Sequence, residues 1–175
     1  ARWDARRDPV DPAWCQDRDA IVDLCGAGIA DRRWSAARKR ELRDSRVEAR
    51  RSLAAAAETA GVPAFIGASG VGIYPPGTTP ADENAAPGDG FLARLCRDWE
   101  AAGRACGGRS VQLRIGVVFS PDGGALRKLV PRLGPLAWLG SGRQAFPWIH
   151  VDDLVALLIA ALDDPAWSGP VNAVA

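Results

Sequence analysis

The sequence is poor in residues that often carry chemistry, with no methionine, one histidine (His150) and one tyrosine (Tyr74). Its four cysteines form no C-x-x-C pair, and a single histidine cannot complete a cluster with them, so we predict no metal site. No apolar run reaches the roughly 18 residues of a membrane span. The N-terminus has no apolar signal-peptide core. These absences predict a cytoplasmic protein with reduced thiols and no membrane partner.

Neither sign of charge dominates the chain, which has 22 basic and 21 acidic residues and a formal net charge of +1. So small a net charge gives no general attraction to nucleic acid, and we predict none as a partner. Of the 175 residues, 47% are hydrophobic, which is enough to build the core of one globular domain.

Short apolar segments alternate with segments of helical periodicity along the chain. Ser35 is placed to cap a long helix that Gly61 and Pro63 end. Asp152 and Asp153 are expected to cap the last helix. The predicted strands are Ile21–Gly26, Ala64–Gly67 and Val111–Phe119, and the predicted helices are 35–61, Phe91–Cys106, a short one near Leu126–Val130, and Val151–Leu162.

This alternation predicts an α/β fold in which a mostly parallel sheet lies between two helical layers. In such sheets ligands bind beyond the carboxyl ends of the strands. The segments to search for a site are therefore those just after each predicted strand: Cys25–Ile29, Ser69–Tyr74 and Phe119–Gly124.

Four stretches taken in order resemble one family. They are Asp19–Gly26 with Arg33-Trp34, Ser69–Tyr74, Leu95–Glu100, and Gly140–Gln144 with Trp148–Leu154. Together they are similar to the YfcH-type epimerase family proteins, an atypical branch of the extended short-chain dehydrogenases. The resemblance implies a Rossmann-like, NAD(P)-binding fold with NADP favoured, and a small-molecule substrate, for which a nucleotide-linked molecule is one candidate.

The chain departs from the family at both ends. No G-x-x-G-x-x-G occurs, although the family begins with a strand, a Gly-rich turn and a helix that hold the pyrophosphate. The substrate region that ends the family's fold has no counterpart after Val171. We therefore expect residues 1–175 to form a single partial Rossmann-like domain without its first strands and Gly-rich turn. The strand Ile21–Cys25 would then be a bare edge prone to self-association.

The tyrosine–lysine pair of short-chain dehydrogenases has no counterpart here. In that pair a lysine cation one helical turn after the tyrosine lowers the pKa of the phenol. If Glu100 marks the acidic residue that follows the pair in extended members, Cys96 and Leu92 stand at the lysine and tyrosine positions. The residue four after Tyr74 is Thr78. Acid/base chemistry of the usual type is therefore in doubt.

The candidate catalytic groups are Ser69 and Tyr74, which both follow the second predicted strand. The resemblance places the substrate-orienting hydroxyl at Ser69, which could instead cap a Gly-rich loop. Tyr74 could line the pocket or pack on Pro75 and Pro76. Glu83 matches an acidic position of the family, but a solvated surface charge is the expected state.

The resemblance implies that the adenine ribose and the nicotinamide ribose of a bound cofactor face Leu24, Cys25 and Gly26, and that Ser69 contributes to the cofactor site. Small residues here allow close backbone approach, which any tight turn after a strand also needs. Cys25 stands where the family usually has Ala, Asp23 where Asn is usual and Arg50 where Thr is usual. These departures predict relaxed constraint.

Arg143 and Gln144 are the candidate substrate-binding residues. In related extended enzymes an Arg here contacts a phosphate, and a guanidinium suits such an anion. The alternative is stacking of Arg143 on Trp138 or Trp148. His150 is expected to be a hydrogen-bonded structural residue.

Two functions remain open. The first is an NAD(P)-dependent epimerase or oxidoreductase. The second is a catalytically inactive remnant or binding domain of the same family that no longer holds cofactor.

Overall fold

A computed structural model describes residues 8–77, 79–126 and 145–175. Arg143, Gln144 and the helix predicted near Leu126–Val130 lie outside the described residues, apart from Leu126 itself. The helices are α1 Ala36–Ala60, α2 Phe91–Gly103 and α3 Val151–Asp163. The strands are β1 Ile21–Asp23, β2 Ala64–Gly70, β3 Arg109–Ile115, β4 Val117–Ser120, β5 Gly123–Gly124, β6 Trp148–His150 and β7 Gly169–Ala173.

The main sheet has the order β1-β2-β3-β7, and every neighbouring pair in it is parallel. Helix α1 connects β1 to β2, and α2 connects β2 to β3. This confirms the predicted α/β fold with a mostly parallel sheet. Strand β1 is paired only with β2, so within the described chain it is an edge strand, as predicted.

The two faces of the main sheet are covered by different helices. Phe65 packs into a cluster with Ala54 and Ala57 of α1, whereas its neighbour Ile66 packs against Ala161 of α3. Successive side chains of a strand point to opposite faces, so one strand serves both cores. The result is the predicted three-layer arrangement.

The strand predicted as Val111–Phe119 is in fact two strands that belong to different sheets. Gly116 separates β3 from β4, and its amide donates to Ala173 O at 3.0 Å while Val117 N donates to Pro147 O at 2.8 Å. A Cβ at Gly116 would lie 2.9 Å from Pro147 O, so only glycine allows this crossing. Strand β4 then pairs parallel with β6 and antiparallel with β5 in a small second sheet.

The ends of α1 follow the capping rules that predicted them. Ser35 accepts a hydrogen bond from Arg38 N, and Gly61 ends the helix in the left-handed conformation with φ of 69°. The second predicted helix stops at Gly103, and Arg104–Cys106 form a 3₁₀ turn instead.

Helix α3 is capped differently from the prediction. Its N-cap is His150, whose Nδ1 accepts from Asp152 N at 3.3 Å, so the expectation that Asp152 and Asp153 cap the helix was wrong. Both carboxylates lie in the first turn, where their charge favours the helix dipole. At the other end, the Arg109 guanidinium donates to the carbonyls of Ala161 and Leu162.

Candidate functional site

Ser69 lies inside β2 and not in the loop after it, because the strand extends three residues beyond its predicted end at Gly67. The alternative of a loop cap was therefore wrong. The side chain is buried, and its hydroxyl donates to Glu100 Oε1 of α2 at 2.7 Å. This places the hydroxyl near the carboxyl end of β2.

Glu100 and Arg114 form a buried ion pair beside Ser69. Arg114 Nε donates to Glu100 Oε1 at 2.9 Å, and Arg114 Nη2 donates to Glu100 Oε2 at 3.1 Å. Burial by itself would lower the pKa of Arg114, but hydrogen bonds to Glu100 and Tyr74 outweigh it and raise the pKa above its usual value. Arg114 is therefore a fixed cation at the carboxyl end of β3.

The Tyr74 hydroxyl is held by two partners. It donates to Asn172 Oδ1 of β7 at 2.7 Å and accepts from Arg114 Nη1 at 2.8 Å. The Arg114 guanidinium also lies 5.2 Å from the centre of the Tyr74 ring. Tyr74 thus belongs to the same network as Ser69, and a cation contacts its phenol oxygen although the usual lysine is missing.

Glu83 is not the solvated surface charge that was expected. Its carboxylate accepts from Asn172 N at 2.7 Å, and its carbonyl accepts from Arg114 Nη1 at 2.9 Å. Asn172 Nδ2 also donates to Ala81 O at 3.1 Å. These bonds attach the loop between β2 and α2 to β3 and β7, and so fix the backbone around Tyr74.

Sequence reasoning missed Arg114 and Asn172 as members of this network. A charged residue in the middle of an apolar strand was a usable signal for Arg114, because a buried charge needs partners. Asn172 carried no such signal, since its partner Tyr74 is 98 positions away along the chain.

The positions that correspond to the tyrosine–lysine pair are apolar or uncharged. Leu92 packs against the backbone of Gly72, where an added Cβ would lie 3.2 Å from the Leu92 Cβ. Cys96 is buried, and burial raises the pKa of its thiol. At the carboxyl ends of β2, β3 and β7, the polar side chains described above form one hydrogen-bonded network. It is defined here as the rim network, with members Ser69, Tyr74, Glu83, Glu100, Arg114 and Asn172.

The turn after β1, Leu24–Gly26, is exposed and firmly held. The side chain of Leu24 is 56% exposed, and Cys25 is exposed as well. Ala27, the next residue, donates its amide to Ser45 Oγ at 3.0 Å and accepts from Arg46 Nη2 at 2.9 Å. A Cβ on Gly26 would lie 2.8 Å from Arg46 Cζ, so the glycine allows the turn to lie directly over this guanidinium.

Asp23 and Arg50 form an ion pair in which both side chains are fully buried, with Arg50 Nε 2.6 Å from Asp23 Oδ2. The two residues that stand out from the family pattern are therefore partners in one buried ion pair. That they reflect relaxed constraint stays a prediction.

Cys25 is not activated as a nucleophile. Although the residue is exposed, the surrounding protein partly desolvates its thiol. This desolvation, followed by the charge of Asp23 and a hydrogen bond to it, raises the pKa of the thiol to about 11. The group is therefore protonated at neutral pH, and the thiolate that would react is scarce.

No group of three or more His, Cys, Asp or Glu residues that could hold a metal ion occurs in the part of the chain that the structure describes. Over the same ranges, no helix has the length and apolar character needed to cross a membrane.

Comparison with known proteins identifies the family. Residues 10–173 match the NAD dependent epimerase/dehydratase family. This chain belongs to that family. The family resemblance read from the sequence motifs is thereby confirmed at this level.

Several known proteins are similar to nearly the whole chain. Epimerase family protein Mb2239 of Mycobacterium bovis is 48% identical over 178 residues, which cover 97% of this chain and 58% of that protein. The crystal structure of human epimerase family protein SDR39U1 (isoform 2) with NADPH is 35% identical with a TM-score of 0.82, over 97% of this chain and 59% of that one. A nucleoside-diphosphate sugar epimerase from Corynebacterium glutamicum is 34% identical with a TM-score of 0.82, over 99% and 38%. The chain thus spans well under two thirds of these relatives.

Proposed function

We propose that this chain supplies the part of an NAD(P)-dependent epimerase or oxidoreductase that receives the nicotinamide end of the dinucleotide and orients a small substrate. One observation carries the proposal. The exposed turn Leu24–Gly26 follows β1, and Ser69 lies near the carboxyl end of the neighbouring parallel strand β2, with Asp23 level with Gly67 in the register. Cys25 and Ser69 therefore each lie two residues after this aligned pair, toward the carboxyl edge of the sheet, where ligands bind in such folds.

The residues present suit the nicotinamide and ribose end of the cofactor. Leu24 and Cys25 are exposed, so the turn is accessible to a ligand. Gly26 has no side chain, so a ligand can approach its backbone closely. A bound NAD(P) would accept or donate a hydride. The pyrophosphate end needs a Gly-rich turn before a helix, and the sequence holds no such motif. NADPH in the human relative supports NADP as the preferred cofactor.

Ser69 and Tyr74 are the proposed catalytic residues. The Ser69 proton is directed to Glu100, which leaves the hydroxyl lone pairs to accept from a substrate donor. The Tyr74 phenol contacts the Arg114 cation, the kind of neighbour that acid/base work by a tyrosine needs. Arg143 and Gln144 remain the proposed contacts for a phosphate on the substrate, and the bound species would be a small, nucleotide-linked molecule.

A second candidate is a binding domain of the same family that has lost the cofactor. The observation that favours it is that both candidate hydroxyl groups already have protein partners for their protons, Glu100 for Ser69 and Asn172 for Tyr74. Such a domain would show no response to either dinucleotide.

The surroundings of the site support two further expectations. All four cysteines are free, and three of them are buried, which favours a reducing, cytoplasmic location. The edge strand β1, with Val22 exposed, supports self-association of the isolated chain.

The experiment titrates the chain, alone and joined behind a βαβ unit with a Gly-rich turn, with NADPH or NADH while recording tryptophan fluorescence. Trp34 reports on the region of the turn because its indole donates to Ile29 O at 2.9 Å. Leu24→Asp should abolish the response, whereas the control Ile159→Asp, at a similarly exposed apolar position on α3, should not. Absence of any response in both forms would favour the cofactor-free domain.

A further inference from the structure

Arg50 projects from α1 into the interior beneath the carboxyl ends of three strands, and its side chain is fully buried. Besides Asp23 it reaches two other strands. Its Nη1 donates to Gln112 Oε1 of β3 at 2.8 Å, and its Nη2 donates to Ala68 O of β2 at 2.7 Å. The guanidinium also lies 4.5 Å from the Trp99 ring. These contacts fix the guanidinium in one position.

The Asp23 carboxylate has two oxygens with two different partners. Oδ2 accepts from Arg50 Nε at 2.6 Å, while Oδ1 accepts from the amide of Cys25 at 2.9 Å. The second bond lies within the exposed turn after β1. A single carboxylate therefore joins a fixed buried cation to the backbone of that turn.

Neither charge is stable without the other at this depth. Burial lowers the pKa of Arg50, and the neighbouring Asp23 charge and hydrogen bond oppose that effect. Loss of one ion would leave the other buried without a counter-charge, which is strongly destabilising. Loss of both removes that penalty and leaves only packing defects and unfulfilled hydrogen bonds.

We propose that Asp23 and Arg50 act as one positioning unit for the turn Leu24–Gly26. Arg50 fixes the orientation of the Asp23 carboxylate, and the carboxylate in turn fixes the amide of Cys25. The consequence for cofactor binding rests on the proposed function. The coupling itself is a property of the chain without cofactor and can be measured there.

The test is amide hydrogen exchange by NMR on the cofactor-free chain, read at Cys25 and at Ile66 and Leu113 in the sheet interior. The variants are Arg50→Met and the double variant Asp23→Asn with Arg50→Met. The double variant has no unpaired buried ion and tests the same coupling if Arg50→Met fails to fold. Arg51→Met is the matched control, because Arg51 is the next residue of α1 and is exposed.

We expect exchange at Cys25 to rise by about tenfold or more in both variants, while Ile66 and Leu113 stay protected and Arg51→Met matches the unmodified chain. Unchanged exchange at Cys25 in a variant with a protected interior would overturn the proposal. So would a rise in exchange that is equal at all three amides, since that reports general destabilisation. Because no cofactor is present, either result is independent of whether the chain binds NAD(P).

Discussion

Glu100→Gln is the sharpest test of the rim network. The substitution preserves the size of the side chain and removes its charge. An amide oxygen could replace Oε1, which accepts from Ser69 and from Arg114 Nε. The amide nitrogen would then face Arg114 Nη2, so that two donors meet where an acceptor stood. Arg114 would be left as a buried cation without a counter-charge.

The size of the effect follows from burial, since the two side chains are 8% and 4% exposed. Removing one partner of a buried ion pair costs about 3–5 kcal/mol. For a chain of this size each kcal/mol lowers the melting temperature by about 2–4 °C, so the expected fall is about 6–20 °C. Thermal unfolding followed by circular dichroism measures it.

Glu48→Gln is the matched control. Glu48 also bonds two arginines, Arg43 at 2.8 Å and Arg51 at 2.9 Å, but on the solvent face of α1. Exposed pairs contribute at most about 1 kcal/mol, so the control should lose little. Equal losses in the two variants would refute the view that the rim network is a buried, charge-dependent unit.

Three further results are expected. Asp23→Asn should lower the pKa of the Cys25 thiol from about 11, because burial raises that pKa first and the Asp23 charge raises it further. In protein that circular dichroism shows to be folded, the pH midpoint for alkylation of Cys25 should therefore fall, and an unchanged midpoint would count against the assigned contact. Val22→Lys on the exposed edge strand β1 should shift the isolated chain toward monomer on sizing, and an unchanged elution volume would count against association through β1. Ser35→Ala should cost about 1 kcal/mol of unfolding free energy in urea, and no loss would deny its capping role.

The layers of the fold were predictable from the sequence because hydrophobic pattern and capping residues act locally. Ser35 and Gly61 mark the ends of α1 correctly. The break at Gly116 was not predictable, since the residues on both sides are apolar and it depends on a distant carbonyl, Pro147 O. Strand β7 was also missed, because Gly169–Ala173 is short and contains Gly and Pro.

The candidate site was only partly predictable for a related reason. Ser69 and the turn Leu24–Gly26 follow from the rule that ligands bind beyond parallel strands. The pairing of Asp23 with Arg50 joins residues 27 positions apart, and one sequence shows each as an isolated departure from the family. Charges that appear unexplained in isolation are thus explained by their partners in the folded chain.

The most direct measurement maps the backbone amides that respond when NADPH is added to the chain joined behind a Gly-rich βαβ unit, by ¹⁵N–¹H NMR. If the carboxyl edge of β1 and β2 receives the nicotinamide end, the largest shifts outside the added unit should fall on Leu24–Gly26 and on Ser69 and Gly70. Shifts confined to α3 or to the outer face of α1, with the turn unaffected, would contradict this placement.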